Sequence, residues 1–288
     1  MKKILICGAT GFIGRNLLDY FYNQNKYKIK AVCFKRNPIK GYEGVEWVRG
    51  DLNNFEFVKE ILKDIDIVLQ FAATTSGSKD IEHLVFPSCT VMYQPSSNAL
   101  SEQDFNGNDE IFSTYFGVGN TKVYIEKMCE FFSRLGKTKH TVMRHSNMYG
   151  PHDKYDLEKS HMFGATVTKV MTSTDGKINV WGTGEESRDL LYVLDLVKFV
   201  DAALTKQSTP FELFNVGLGK ATQVKEVVKK IISHSGKNLE MIHDLSKPNI
   251  PTSLFLDCTK AKKLLGWEPE TNLDEGIIKT LKWYKENI

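Results

Sequence analysis

A chain of 288 residues, 41% hydrophobic and 25% charged, has the composition of a globular protein large enough for a sizeable core divided between two lobes. A net charge of +3 is too small to imply a nucleic-acid partner, and no apolar run is long enough to span a bilayer. The five cysteines (7, 33, 89, 129 and 258) are odd in number and lack paired spacing, as expected for reduced thiols in a cytoplasmic protein without a metal cluster.

The Met-Lys-Lys start leads into a core strand rather than a signal peptide. The apolar run then enters a turn with Gly8, Gly11 and Gly14, and a helical pattern over 15–22 leaves it. Such a turn presents backbone N–H groups at a helix N-terminus, where a pyrophosphate can sit. Gly8 permits the tight turn, Gly11 a close approach to phosphate, and Gly14 close packing of helix on strand. With Thr10, Phe12 and Ile13, these glycines form the candidate dinucleotide cradle.

Further strands are expected at 29–34, 45–49, 65–73, 83–87 and 141–144, and helices at 55–63 and 122–136. The second of these helices carries Val123, Ile125, Met128, Cys129, Phe132 and Leu135 at core spacing. Continuous apolar strands alternating with helices predict an α/β, doubly wound parallel (Rossmann) sheet covered on both faces. After Pro151 the pattern changes. Helices are expected at 162–171, 195–204, 224–233 and 273–286, and strands at 178–181 and 211–216. This suits a second, smaller α/β substrate-binding lobe. Residues 1–150, with about 186–210, make the dinucleotide-binding domain; 151–185 and 211–288 belong mainly to the second lobe. The cleft between them is the expected active site.

One connection is too short. Between Ala73 and His83 lie only residues 74–82, whereas parallel neighbours need a crossover of about a dozen residues or more, usually helical. Either the strand order changes here or a helix-bearing segment is absent. The expectation adopted is the second.

The motifs together carry a resemblance. They are the glycine turn from Gly8, Gly50-Asp51-Leu52, Gln70-Phe71-Ala72-Ala73, Ser88-Cys89-Thr90-Val91-Met92-Tyr93 and Thr121-Lys122. Then come Arg144-His145-Ser146-Asn147-Met148-Tyr149-Gly150-Pro151-His152-Asp153, Ser160-His161, Val180-Trp181-Gly182-Thr183-Gly184, Arg188-Asp189 and Leu265-Gly266-Trp267-Glu268-Pro269. The chain resembles the extended short-chain dehydrogenase/reductases that act on nucleotide sugars, and among them the GDP-fucose synthases most. The resemblance implies a nicotinamide cofactor, a nucleotide-sugar substrate (GDP-linked for preference), and pairing of two copies through helices flanking the sheet.

Cofactor choice turns on the end of the second strand, where an acid suits the ribose hydroxyl of NAD and basic residues suit the phosphate of NADP. Phe34-Lys35-Arg36 offers no acid, which favours NADP(H) over NAD(H). By resemblance Asp51, followed by Leu52, reaches the adenine; as a plain turn residue it would cap the next helix instead. Ala72 and Ala73 leave room for the cofactor.

In the family a Tyr four residues before a Lys handles the proton, its phenol acidified by the ammonium, with a Ser or Thr holding the carbonyl. Lys122 fits the Lys, and it also anchors the cofactor ribose. The Tyr position holds Val118, and the nearest upstream phenol is Tyr115. Cys89 falls at the hydroxyl position, flanked by Ser88. His161 matches a second acid/base for epimerisation. Asn147, Lys169, Trp181 and Arg188 are the candidate substrate-binding residues, Arg188 for a diphosphate. The leading expectation is an epimerase/reductase of a 4-keto nucleotide sugar. The alternatives are a UDP- or dTDP-sugar 4-epimerase or dehydratase, and a non-catalytic binder that has lost its Tyr.

Overall fold

A computed structural model describes residues 1–72, 81–157, 159–246 and 253–288. In its first half, in chain order, come β1 (Lys3–Cys7), α1 (Phe12–Gln24), β2 (Lys28–Cys33), β3 (Glu46–Arg49), α2 (Phe55–Ile61), β4 (Ile67–Gln70), β5 (His83–Pro87), α3 (Phe116–Ser133) and β6 (Lys139–His145). There follow β7 (Asn147–Tyr149), α4 (Met162–Thr172), β8 (Lys177–Trp181), β9 (Ser187–Tyr192), α5 (Val193–Lys206) and β10 (Phe211–Val216). The chain closes with β11 (Ala221–Gln223), α6 (Val224–Ser235), β12 (Glu240–Asp244), α7 (Thr259–Leu265) and α8 (Leu273–Asn287).

The apolar runs of the first half pair in parallel, in the order β10-β6-β5-β4-β1-β2-β3. Strands such as β4, buried at every position, need cover on both faces. On one face α1 and α5 supply it, with Leu17, Leu18 and Phe21 packed among Leu196, Val197 and Val200. On the other, Val58 and Ile61 of α2 lie against Leu5 and Val32, and Cys129 of α3 against Phe86 and Val142. The chain leaves β1 for β2 on one side and reaches β4 on the other. The crevice at this switch point, beyond the carboxyl ends of the strands, is where such sheets bind ligands.

The second lobe holds β7, β9 and β11 in a small sheet, the parallel pair β8–β12, and a core shared by α4, α6 and α8. Two boundaries need correction. β10 pairs with β6 from Phe211↔His140 to Val216↔His145, so 211–216 completes the large sheet rather than the second lobe. Trp267, just past α7, also lies in the large core, its indole donating to the Asp195 carbonyl at 2.9 Å. A six-residue apolar strand does not announce which sheet it joins; the open edge of β6 decides that.

β5 lies directly beside β4, parallel, with Ile67 opposite His83. The strand order therefore runs on unchanged through the short connection, which removes the first of the two readings. Most of that connection, with Ala73, lies outside the described residues. In α3 the expected buried set is also revised. Phe132 is 52% and Leu135 65% exposed, while Glu126 and Ser133 turn inward with Val123 and Cys129. The helix starts at Phe116, six residues before the predicted start, and its inner stripe is partly polar because it faces a buried arginine.

Candidate active site

The glycine turn is shaped by what its backbone must avoid. Gly8 has φ +78°, and a Cβ there would stand 2.7 Å from the Phe71 carbonyl oxygen. A Cβ on Gly14 would drive into the Gly8 carbonyl. Gly11, the N-cap of α1, brings no side chain to cap the helix, so its first-turn amides stay open to a ligand.

The turn opens on a cavity of about 620 Å³. Gly8, Thr10, Gly11 and Phe12 line it, with Lys35, Arg36, Asp51, Leu52 and Ala72 from the neighbouring strand ends. Ile13 packs against the core and Gly14 is buried beneath the turn, so neither reaches the wall. At the far end Arg36 donates to the Thr10 carbonyl at 2.7 Å, while Arg49 holds the Phe34 carbonyl and Asn37. No carboxylate ends β2. Asp51 accepts from the Asn53 amide at 2.9 Å and closes its own turn; the cap of α2 is Asn54. This cradle, which a single Cβ would fill, fits the pyrophosphate and adenosine of a nicotinamide dinucleotide.

The opposite wall was not foreseen. His152, Asp153, Lys154 and Asp156 come from the segment after β7. That segment is strapped to α1: Asn16 donates to the Pro151 carbonyl at 3.0 Å, and His152 lies 3.4 Å from the Asp19 carboxylate. Burial pushes the Asp153 carboxyl up to about 6, and its Oδ2 has no hydrogen-bond partner among the described residues. The Tyr149-Gly150-Pro151-His152-Asp153 motif was the available signal.

Lys122 does not line this cavity. Its ammonium donates to the Pro87 carbonyl at 2.6 Å, at the carboxyl end of β5, and lies 4.7 Å from the Phe86 ring centre. Burial lowers its pKa, with Cys89 and Glu126 opposing. Burial raises the Cys89 thiol, against a backbone hydrogen bond from Val91 and the Lys122 charge. Ser88 is a correction: fully buried, its hydroxyl donates to the Glu126 carboxylate and so cannot hold a substrate carbonyl. Val118 is half exposed in the first turn of α3. Tyr115 sits just before that helix, against the Met92–Tyr93–Phe105 cluster.

Arg188 on β9 is half-buried; desolvation lowers its pKa, with Glu186 and Tyr115 acting in opposition. Asn147 is exposed at the start of β7, and His161 stands exposed at the N-cap of α4. Lys169 and Trp181 form a pair of their own: the ammonium is 5.5 Å from the indole centre and donates to the Asn179 carbonyl at 3.0 Å.

Among the described residues no cluster of His, Cys, Asp or Glu could hold a metal, and no helix is long and apolar enough to cross a membrane. All five cysteines are free.

The model of the NAD dependent epimerase/dehydratase family matches residues 4–82 and 76–217. The chain belongs to this family. The two matched stretches meet within the short β4–β5 connection. Over 98% of its length the chain is 26% identical to GDP-L-colitose synthase of Yersinia pseudotuberculosis, covering 97% of that protein. It is 27% identical to GDP-L-fucose synthase of Azorhizobium caulinodans, over 98% of the chain and 96% of the relative. The family fold is equally plain in the UDP-glucose 4-epimerase structure from Thermotoga maritima: TM-score 0.84, 24% identity, 99% of each chain covered.

Proposed function

We propose that this protein is an NADP(H)-dependent epimerase/reductase acting on a nucleotide-linked 4-keto sugar, with GDP the preferred nucleotide. The observation that carries the reading is the pairing of the glycine cradle with the tethered Lys122 ammonium at the same carboxyl edge of the sheet. Lys35 and Arg36 in the cavity wall, with no acid at the end of β2, support the choice of NADP(H). The GDP preference rests on the two GDP-sugar synthases to which the chain is similar over nearly its whole length.

When bound, the nicotinamide supplies reversible hydride exchange with sugar C4. The first-turn amides of α1 would hold the pyrophosphate, and Arg36 with Lys35 the ribose phosphate. Lys122 would fix the nicotinamide ribose. Arg188 would take the sugar diphosphate, with Asn147 beside the sugar, and His161 would move a proton next to the ketone in epimerisation.

The test is consumption of NADPH in the presence of GDP-4-keto-6-deoxymannose, run beside UDP- and dTDP-sugars. Turnover of the GDP ketosugar is expected; turnover confined to UDP- or dTDP-sugars makes the protein a 4-epimerase or dehydratase. One observation favours a second reading. Val118 stands where the family phenol is expected, as in a protein that binds cofactor and sugar nucleotide without reacting them. Tight NADPH binding with no turnover of any nucleotide sugar would establish it.

A further inference from the structure

We infer that the His145 imidazole is the group that exchanges the C4 hydroxyl proton in this chain, in place of a phenol. The inference rests on the proposed reductase reading and goes one step beyond it.

The position follows from the sheet. His145 is the last residue of β6. Pro87, whose carbonyl holds Lys122, lies opposite Met143, and the Ser88 amide donates to the Met143 carbonyl at 2.8 Å. His145 thus stands two residues beyond that line, on the same carboxyl edge where the crevice opens. Alternation along β6 turns Arg144 toward α3 and sets His145 on the opposite face.

The ring is fixed for proton acceptance. Its Nδ1 lies 2.8 Å from the Ser146 carbonyl oxygen, which only accepts, so the hydrogen sits on Nδ1. Nε2 then carries the lone pair, and it has no hydrogen bond among the described residues. Burial first, then the charges of Lys122 and His161, push the ring down to about 4, against the Ser146 hydrogen bond. It is therefore neutral at physiological pH, and those two groups share its surroundings.

Val118 has no proton to exchange, the Ser88 hydroxyl is bound to Glu126, and burial raises the Cys89 thiol. With an oxidised nicotinamide bound to take the C4–H electron pair as hydride, the O–H pair would become the second C=O bond and Nε2 would receive the proton. In reduction the imidazolium would return that proton to the forming alkoxide. Sugar and cofactor exchange two electrons, and no further reactant is needed.

The experiment compares wild type with His145→Gln and His145→Gly, using GDP-4-keto-6-deoxymannose and NADPH. The expected result for both is a fall in kcat of about 10²–10⁴-fold, with KM and the NADPH Kd little changed. Imidazole added to His145→Gly should restore at least about tenfold, which a purely structural role would not allow. Nitrogen-15 spectra of the wild type should report His145 as a neutral Nδ1–H tautomer at pH 7. A His145→Gln enzyme with full kcat overturns the inference, and so does an Nε2–H tautomer or a protonated ring, even if both variants fail to fold. A wild type inert toward every nucleotide sugar is a different result, which removes the reductase reading and this assignment together.

Discussion

Glu126 and Arg144 close a buried ion pair between α3 and β6, at 2.7 Å, with side chains only 6% and 5% exposed. Glu126 also takes the Ser88 hydroxyl, and Arg144 donates to the Tyr93 oxygen at 3.0 Å and the Glu102 carbonyl at 3.1 Å. Lys122 lies one turn before Glu126 on the same helix, so the pair sets where the ammonium meets β5. Removing one partner strands a buried charge. Glu126→Ala should lose about 3–5 kcal/mol in urea denaturation. A loss under about 1 kcal/mol would mean that the pair does not anchor the helix.

The cradle should fail through single methyl groups. Gly14→Ala places a Cβ in the Gly8 carbonyl, and Gly8→Ala adds a side chain at φ +78° against Phe71. The left-handed backbone alone costs about 1–2 kcal/mol for an L-residue. NADPH titration followed by fluorescence should record at least a tenfold loss of affinity in each folded variant. Unchanged affinity would place the cofactor elsewhere.

Cofactor preference should follow Arg36, which reaches from the end of β2 to the Thr10 carbonyl. A charge-assisted hydrogen bond is worth about 1.5–3 kcal/mol, or roughly ten- to a hundredfold in affinity. Arg36→Glu should lower the NADPH-to-NADH affinity ratio by that factor. A ratio near one in the wild type would remove the NADP(H) preference before any mutation is made.

Stability should fall on the acid side. His83 is buried, with Nε2 2.7 Å from the Thr141 hydroxyl, which itself donates to Gln207. Burial, with Lys139, His140 and Lys2 nearby, pushes it down to about 3. An unfolded His takes a proton near pH 6.5, so the unfolded chain binds more protons between about 6.5 and 3. The contribution is therefore intact above about pH 6.5 and is lost as pH falls toward 3. Denaturation midpoints from pH 7 to 4.5 should drop in the wild type and drop less steeply in His83→Gln. Equal slopes would assign the acid sensitivity to other groups.

The amino-acid sequence by itself determined the parallel sheet, the glycine turn and the basic end of β2. Each is a local matter: apolar runs need cover on both faces, and a backbone pressed against its neighbour admits no Cβ. It also exposed the anomaly at 118, since a missing phenol is visible without coordinates. Only the tertiary structure decided which sheet claims β10, because a lone strand goes to whichever edge is open. It likewise turned Ser88 and Glu126 inward to Arg144 and brought the Pro151 to Asp156 segment over α1. Those contacts join residues remote in the chain, and their energy comes from pairing buried charges and satisfying buried donors, which no periodicity records.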